Sequence, residues 1–287
     1  MGTSTSSKGP GPKVPFDPPW LDQISDQTIG DQIDNNPNIV SPDGQTPEGP
    51  NPPQPSTLPL QQAPSARFGN ARRALNSFIR DSNGRRSFTK AAGHYSRTGM
   101  GGARKLATRM RYSTSAAVNL AHFLSDVSSR TNADISNWID SIVQQNIPSE
   151  AVIDAIINHV SPSSGSRDEE SCANSMAYAM SEYLEKHEGV DLLSLRENDI
   201  KEITELFIAQ EAYSRMINDI GQAFEDGRLS PIDAASKREE MREYLIADIS
   251  IQIEALWKEN SNPTKVQLDI LLQKAIENTF RVYEGEL

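Results

Sequence analysis

Fourteen of the chain's 18 prolines fall within residues 1–66, and this distribution limits where a folded core can lie. Each proline fixes φ and removes a backbone donor, so so dense a stretch supports neither a helix nor a sheet ladder. The run from Pro47 to Pro64 (PEGPNPPQPSTLPLQQAP) favours polyproline II or coil and reads as a semi-stiff spacer. Residues 1–66 are therefore expected to form a long disordered tail. The rest of the chain, with four prolines, is long enough to bury a core of its own.

From Arg67 onward the apolar residues recur at helical spacing, and no stretch alternates with period two. Ala71, Ala74, Leu75, Phe78 and Ile79 share one face of a first helix, and Phe88, Ala91, Ala92 and Tyr95 one face of a second. Gly99–Gly102 should stop that second helix, and a longer one is expected over 103–128 through Leu106, Met110, Val118, Leu120, Ala121 and Leu124. A helix opened by Asp134 ends at Pro148, and Ser149 is placed to cap the next, through Val160. Residues 161–166 (SPSSGS) read as a loop and as the best internal hinge. Helices follow over 167–188 and 194–224, then over 231–257 after Ser230-Pro231, an N-cap with proline at the first helical position. Asn262-Pro263 repeats that signature, with Val266, Ile270, Leu271, Ala275 and Phe280 expected inward. The expected fold is all-α, a multi-helix bundle of about eight to nine helices, with 67–160 and 161–287 packed as one body.

The net charge of −11 hides three unlike blocks. Residues 1–66 sum to −5, residues 67–112 to +11, and residues 113–287 to −17. The middle block holds twelve Lys/Arg against Asp81, including Arg72, Arg73, Arg85, Arg86, Arg104 and Lys105, with Phe68, Phe88, Tyr95 and Tyr112 interleaved. Such a block can bind a nucleic-acid backbone. It can equally pair with the acidic remainder or with a partner protein, which is the favoured reading. Gly99-Met100-Gly101-Gly102-Ala103-Arg104-Lys105 lacks P-loop spacing and follows helices rather than a strand, so it reads first as a turn and second as an anion contact.

Nothing in the sequence argues for catalysis or a cofactor. His94, His122, His159 and His187 are scattered outside any metal-ligand spacing. Cys172 sits at an apolar helical position and reads as core; as the single cysteine it makes no internal disulfide, which fits a reducing compartment. No apolar run reaches the roughly 18–20 residues a bilayer requires, and a secretory signal is not evident, so a cytoplasmic location is expected.

Two tail features stand apart. Val14, Pro15, Phe16, Pro18, Pro19, Trp20 and Leu21 put a Phe and a Trp into otherwise spacer-like sequence, as a short docking motif would. Gly2 follows Met1, so removal of the initiator exposes a glycine α-amine whose ordinary pKa, about 7.7–8, leaves a nucleophilic fraction at neutral pH. The small residues Thr3, Ser4, Thr5 and Ser6 behind it can thread a narrow cleft. The same residues also fit the loose N-myristoylation pattern, or an ordinary tail.

The order Met1-Gly2-Thr3-Ser4-Thr5-Ser6-Ser7-Lys8-Gly9-Pro10-Gly11-Pro12, then Val14-Pro15 and Pro18-Pro19-Trp20, resembles the QatB family of the Qat bacterial anti-phage system. The likeness continues through Arg72-Arg73-Ala74 and Ala91-Ala92-Gly93-His94-Tyr95-Ser96-Arg97 to Gly101-Gly102-Ala103, so it covers roughly 1–112; the acidic helical remainder is similar in character only. The resemblance implies a non-enzymatic subunit with a P-loop ATPase, a QueC-like enzyme and a TatD-like nuclease as partners. It further implies that Gly2 is the acceptor amine for a 7-deazaguanine carboxylate activated by the QueC-like partner.

Overall fold

The computed structural model describes residues 66–80, 84–131, 133–161, 166–225, 229–259 and 263–287. Residues 1–65 of the tail, with the docking motif, and residues 162–165 of the expected hinge lie outside the described residues. Those described form ten α-helices and no strand: α1 (Gly69–Arg80), α2 (Gly84–His94), α3 (Ala103–Arg109), α4 (Arg111–Ser129), α5 (Ala133–Gln145), α6 (Ser149–Val160), α7 (Arg167–Lys186), α8 (Glu197–Ile220), α9 (Pro231–Glu259) and α10 (Lys265–Gly285). A π-helical turn (Tyr95–Met100) follows α2, and a 3-10 turn (Gly221–Phe224) ends α8.

Two helices organise the body. α8 packs against α4, α7 and α9, and α10 against α2, α3, α4 and α9. α8 buries Ile203, Phe207, Ile208, Ala212, Met216 and Ile220 along its length, and α10 buries Leu268, Leu272, Ala275, Ile276 and Phe280. Burial of each large side chain of this kind stabilises by about 1.5–3 kcal/mol. α5 and α6 are peripheral, held to α4 by Trp138 edge-on to Phe123 and by His159 stacked on Phe123 at 4.3 Å.

Four helix starts are fixed locally. Ser166 Oγ accepts from the Glu169 amide at 3.2 Å, and the Glu169 side chain accepts in return from the Ser166 amide. Ser230 Oγ accepts from the Asp233 amide at 3.1 Å, with Pro231 at the first helical position. At α8 the carboxylate of Asp199 accepts from the Arg196 amide at 2.8 Å and from its guanidinium, which holds that carboxyl below its ordinary range. At α10 the cap is Thr264, not Asn262: its hydroxyl accepts from the Gln267 amide, and Gln267 Oε1 accepts from the Thr264 amide at 2.9 Å. Pro263 thus precedes the cap. Likewise Pro148, in extended conformation, occupies the N-cap of α6, and Ser149 is already helical.

The expected helix over 103–128 is two helices. Met110 has φ −87° and ψ 9°, and its amide is shared between the carbonyls of Leu106 and Ala107. Met110 is itself buried, and the break lets α3 lie on α10 while α4 turns to reach α8 as well. The last helix corrects another expectation. Leu271, Ala275 and Phe280 are buried, but Val266 and Ile270 are exposed, at 70% and 51%. The buried seam runs instead through Leu268, Leu272, Ile276 and Tyr283, the face that meets its four neighbours.

The glycine turn after α2 has packing reasons. A Cβ on Gly99 would sit 2.6 Å from the Phe68 ring, which stacks on Tyr95. Gly101 and Gly102 have φ of 83° and 111°, the region that favours glycine, and the Gly102 amide closes the turn onto Ser96 O at 2.9 Å.

Candidate partner-binding face

The structure separates the basic block into inward and outward cations. Arg72 turns in, donating to the carbonyl of Asp219 at 2.9 Å, near the end of α8, where cations oppose the helix dipole. Arg85 pairs with Asp248 of α9 and lies 4.9 Å over the Tyr244 ring. Tyr95 donates to Asp219 Oδ2 at 2.9 Å, and Ser96 to Glu284 Oε1 at 2.6 Å. Burial first, and then the Asp219 charge, push the Tyr95 hydroxyl well above its ordinary value, so it stays a donor. Part of the attraction between the +11 and −17 blocks is therefore internal.

Arg73, Arg86 and Arg104 remain exposed, as does Arg85 beside its pair with Asp248, and Lys105 is half-buried. Arg73 is held against its own helix by Gly69 O and Asn70 Oδ1. Arg86 and Lys90 lie one turn apart on α2, and Arg97 continues the line in the π turn. His94 sits among them: burial first, then the charges of Arg73, Lys90 and Arg97, lower its pKa. Arg73, Arg86, Lys90 and Arg97 thus form an exposed cationic stripe. Lys90 and Arg97 extend the set of cations singled out in the sequence, and the i, i+4 spacing of 86 and 90 was the signal for the first of them. Arg104 and Lys105 belong to α3, beyond the glycine turn.

A second polar assembly is buried. Glu211 on α8 is fully buried and accepts hydrogen bonds from Ser113 (2.8 Å), Ser171 (2.9 Å) and Ser175 (2.7 Å), with Arg215 Nε at 3.9 Å. These ties join α4, α7 and α8. Cys172 lies beside them, its thiol pushed up to about 12 by burial and by the Glu211 charge. It is a protonated core residue rather than a nucleophile. Nearby, Arg242 of α9 pairs with Glu182 of α7 and with Glu239, and stacks 4.5 Å over Tyr178. No group of three or more metal-type ligands occurs among the described residues. No described helix is long and apolar enough to cross a membrane.

Fold and surface define the class first: an all-helical bundle with a charged outer face. The sequence matches the family model of the Qat anti-phage system associated protein QatB over residues 101–283, and the chain belongs to that family. It is therefore a component of the Qat anti-phage system. The matched span corrects the extent read from the sequence, overlapping it only over 101–112, and lies on α3–α10, where core packing constrains the apolar positions. No curated protein and no solved structure matches the chain.

Proposed function

We propose that this chain is the protein acceptor of its defence complex. In this reading, Gly2 enters a QueC-like partner and the helical body serves as the platform. The QueC-like partner uses ATP to convert a 7-deazaguanine carboxylate to an acyl adenylate, releasing pyrophosphate. The Gly2 amine attacks the acyl carbon, AMP leaves, the nitrogen gives up a proton, and an amide remains. Thr3, Ser4, Thr5 and Ser6 follow the glycine into the cleft, and Phe16 and Trp20 anchor the tail to a partner. A P-loop ATPase and a TatD-like nuclease complete the assembly, which acts in the cytoplasm without a membrane.

The observation that carries this reading is the conjunction of membership in the Qat-associated family with Met1-Gly2 and small residues ahead of a proline-rich spacer. Deleting residues 2–21 tests it. Phage protection should be lost while the melting temperature of the chain stays the same. Full protection by the deleted chain would refute the tail's role.

A second reading, a nucleic-acid adapter, is favoured by the exposed stripe. Its test is charge reversal at Arg73, Arg86, Lys90 and Arg97, sparing Arg72 and Arg85, which make internal contacts. Loss of salt-dependent DNA or RNA binding would support the adapter, and failure of the unaltered chain to bind either at low salt would sink it.

A further inference from the structure

The outer face of the α1–α2 hairpin carries charge of one sign. Arg73 and Arg80 lie two turns apart on α1, and Arg86, Lys90 and Arg97 follow along α2 and the π turn; all five are exposed. α1 and α2 pack side by side, and the charges of Arg73, Lys90 and Arg97 all reach His94, so the two rows form one patch. No Asp or Glu occurs in α1, α2 or the π turn. The carboxylates of Asp219 and Glu284 reach this region at Tyr95 and Ser96, which are buried. Among the described residues Arg80, Arg86, Lys90 and Arg97 have no ion-pair partner, and the Arg73 guanidinium bonds to neutral oxygens of Gly69 and Asn70.

An anionic membrane, an acidic protein and a nucleic acid all present charge to such a face, and the apolar residues decide between them. A helix lying on a membrane needs exposed apolar side chains, and a protein interface needs aromatic or aliphatic anchors at its centre. The hairpin offers neither: Leu75, Phe78, Phe88 and Tyr95 are buried, and no large apolar side chain of α1, α2 or the π turn is exposed. Charge alone suits a phosphate backbone. The same burial separates double from single strands, because single strands are held by bases stacked on exposed rings. Phe68, Phe88 and Tyr95, interleaved with the cations in sequence, are closed to bases, and the exposed Tyr112 belongs to α4.

We infer that the outer face of the α1–α2 hairpin binds the phosphate backbone of a double-stranded nucleic acid in preference to a single strand. The inference rests on the adapter reading of the stripe and specifies what the adapter holds. Arg86 and Lys90 stand about 6 Å apart along the helix axis, and Arg73 and Arg80 about 10 Å. Phosphates of one duplex strand advance about 3.4 Å each along its axis, so these intervals span about two and three nucleotides. Five cations on phosphates release a matching number of counterions, which gives log affinity a slope of about −4.5 against log salt.

Fluorescence anisotropy of the full-length chain tests this with a labelled DNA duplex of about two helical turns, the RNA duplex of the same sequence, and one strand of the DNA. At about 50 mM salt the preferred duplex should bind about tenfold or more tighter than the single strand, and its affinity should fall about 500-fold by about 200 mM. The tighter duplex identifies the source of the phosphates. Arg86→Gln and Lys90→Gln, at exposed positions, should each lower the salt slope by about 1 and leave the melting temperature unchanged. Single-strand binding as tight as duplex binding would overturn the inference and leave the adapter reading standing, as would duplex binding indifferent to both substitutions. No binding of any of the three would overturn both, and retention on phosphatidylglycerol vesicles in that case would assign the face to a lipid surface.

Discussion

Buried charge in this protein is concentrated at a few residues whose partners come from distant helices, and each responds differently to substitution. Glu211 joins serines of α4 and α7 to α8, so Glu211→Ala leaves three hydroxyls without their acceptor, while Arg215 keeps its contact to Asp168. Leaving a buried hydroxyl without its acceptor costs about 1–3 kcal/mol, which chemical denaturation will read as a lower midpoint with an unchanged slope. Cys172, with its thiol raised to about 12, should resist a thiol reagent in the folded chain and react promptly in denaturant. Rapid labelling of the native chain would contradict its placement. Glu205 gives a pH prediction with a definite sign. Its folded-state pKa, about 7, lies above its ordinary value of 4.5, so the folded state retains a proton that the unfolded state loses between those values. Its contribution to stability is present below about 4.5 and lost as pH rises through 7. Glu205→Gln should therefore raise the melting temperature relative to the unaltered chain more at pH 8 than at pH 5.

At the scale of elements, close approach between α2 and α10 explains the small residues Ala91, Ala92 and Gly93. All three are buried, and a Cβ on Gly93 would meet the carbonyl oxygen of Tyr283 at 2.4 Å. Alanine is the better helix former by about 1 kcal/mol, but here the obstruction is backbone and cannot rotate away. Gly93→Ala should accordingly destabilise, by about 1–3 kcal/mol, measured as a drop in melting temperature. An increase would show that the two helices are further apart. The helical period made the inward faces of α1, α2 and α4 legible, and Ser230-Pro231 marked the start of α9 correctly. Other features depend on contacts that spacing does not carry. The break at Met110 exists because α3 and α4 serve different neighbours. Val266 and Ile270 fit a helical face as well as Leu268 and Leu272 do, and only the arrangement of α2, α3, α4 and α9 around α10 selects between them. Glu211 and its serines lie 36 to 98 residues apart, beyond any local pattern.

For the whole molecule, the family match on residues 101–283 and the tail signature in residues 1–21 supply different parts of one account. The helical body carries the family's packing constraints, while Gly2 and the Phe16/Trp20 motif carry the proposed chemistry. The basic block is likewise divided, Arg72 and Arg85 holding helices together and Arg73, Arg86, Lys90 and Arg97 facing outward. The most direct test of the central claim is the intact mass and N-terminal peptide map of this chain after co-expression with the other Qat components and a supply of the 7-deazaguanine carboxylate. The account predicts loss of Met1 and an amide-linked deazaguanine adduct on Gly2, absent when the QueC-like partner is omitted. An N-terminus that stays unmodified under those conditions would contradict it.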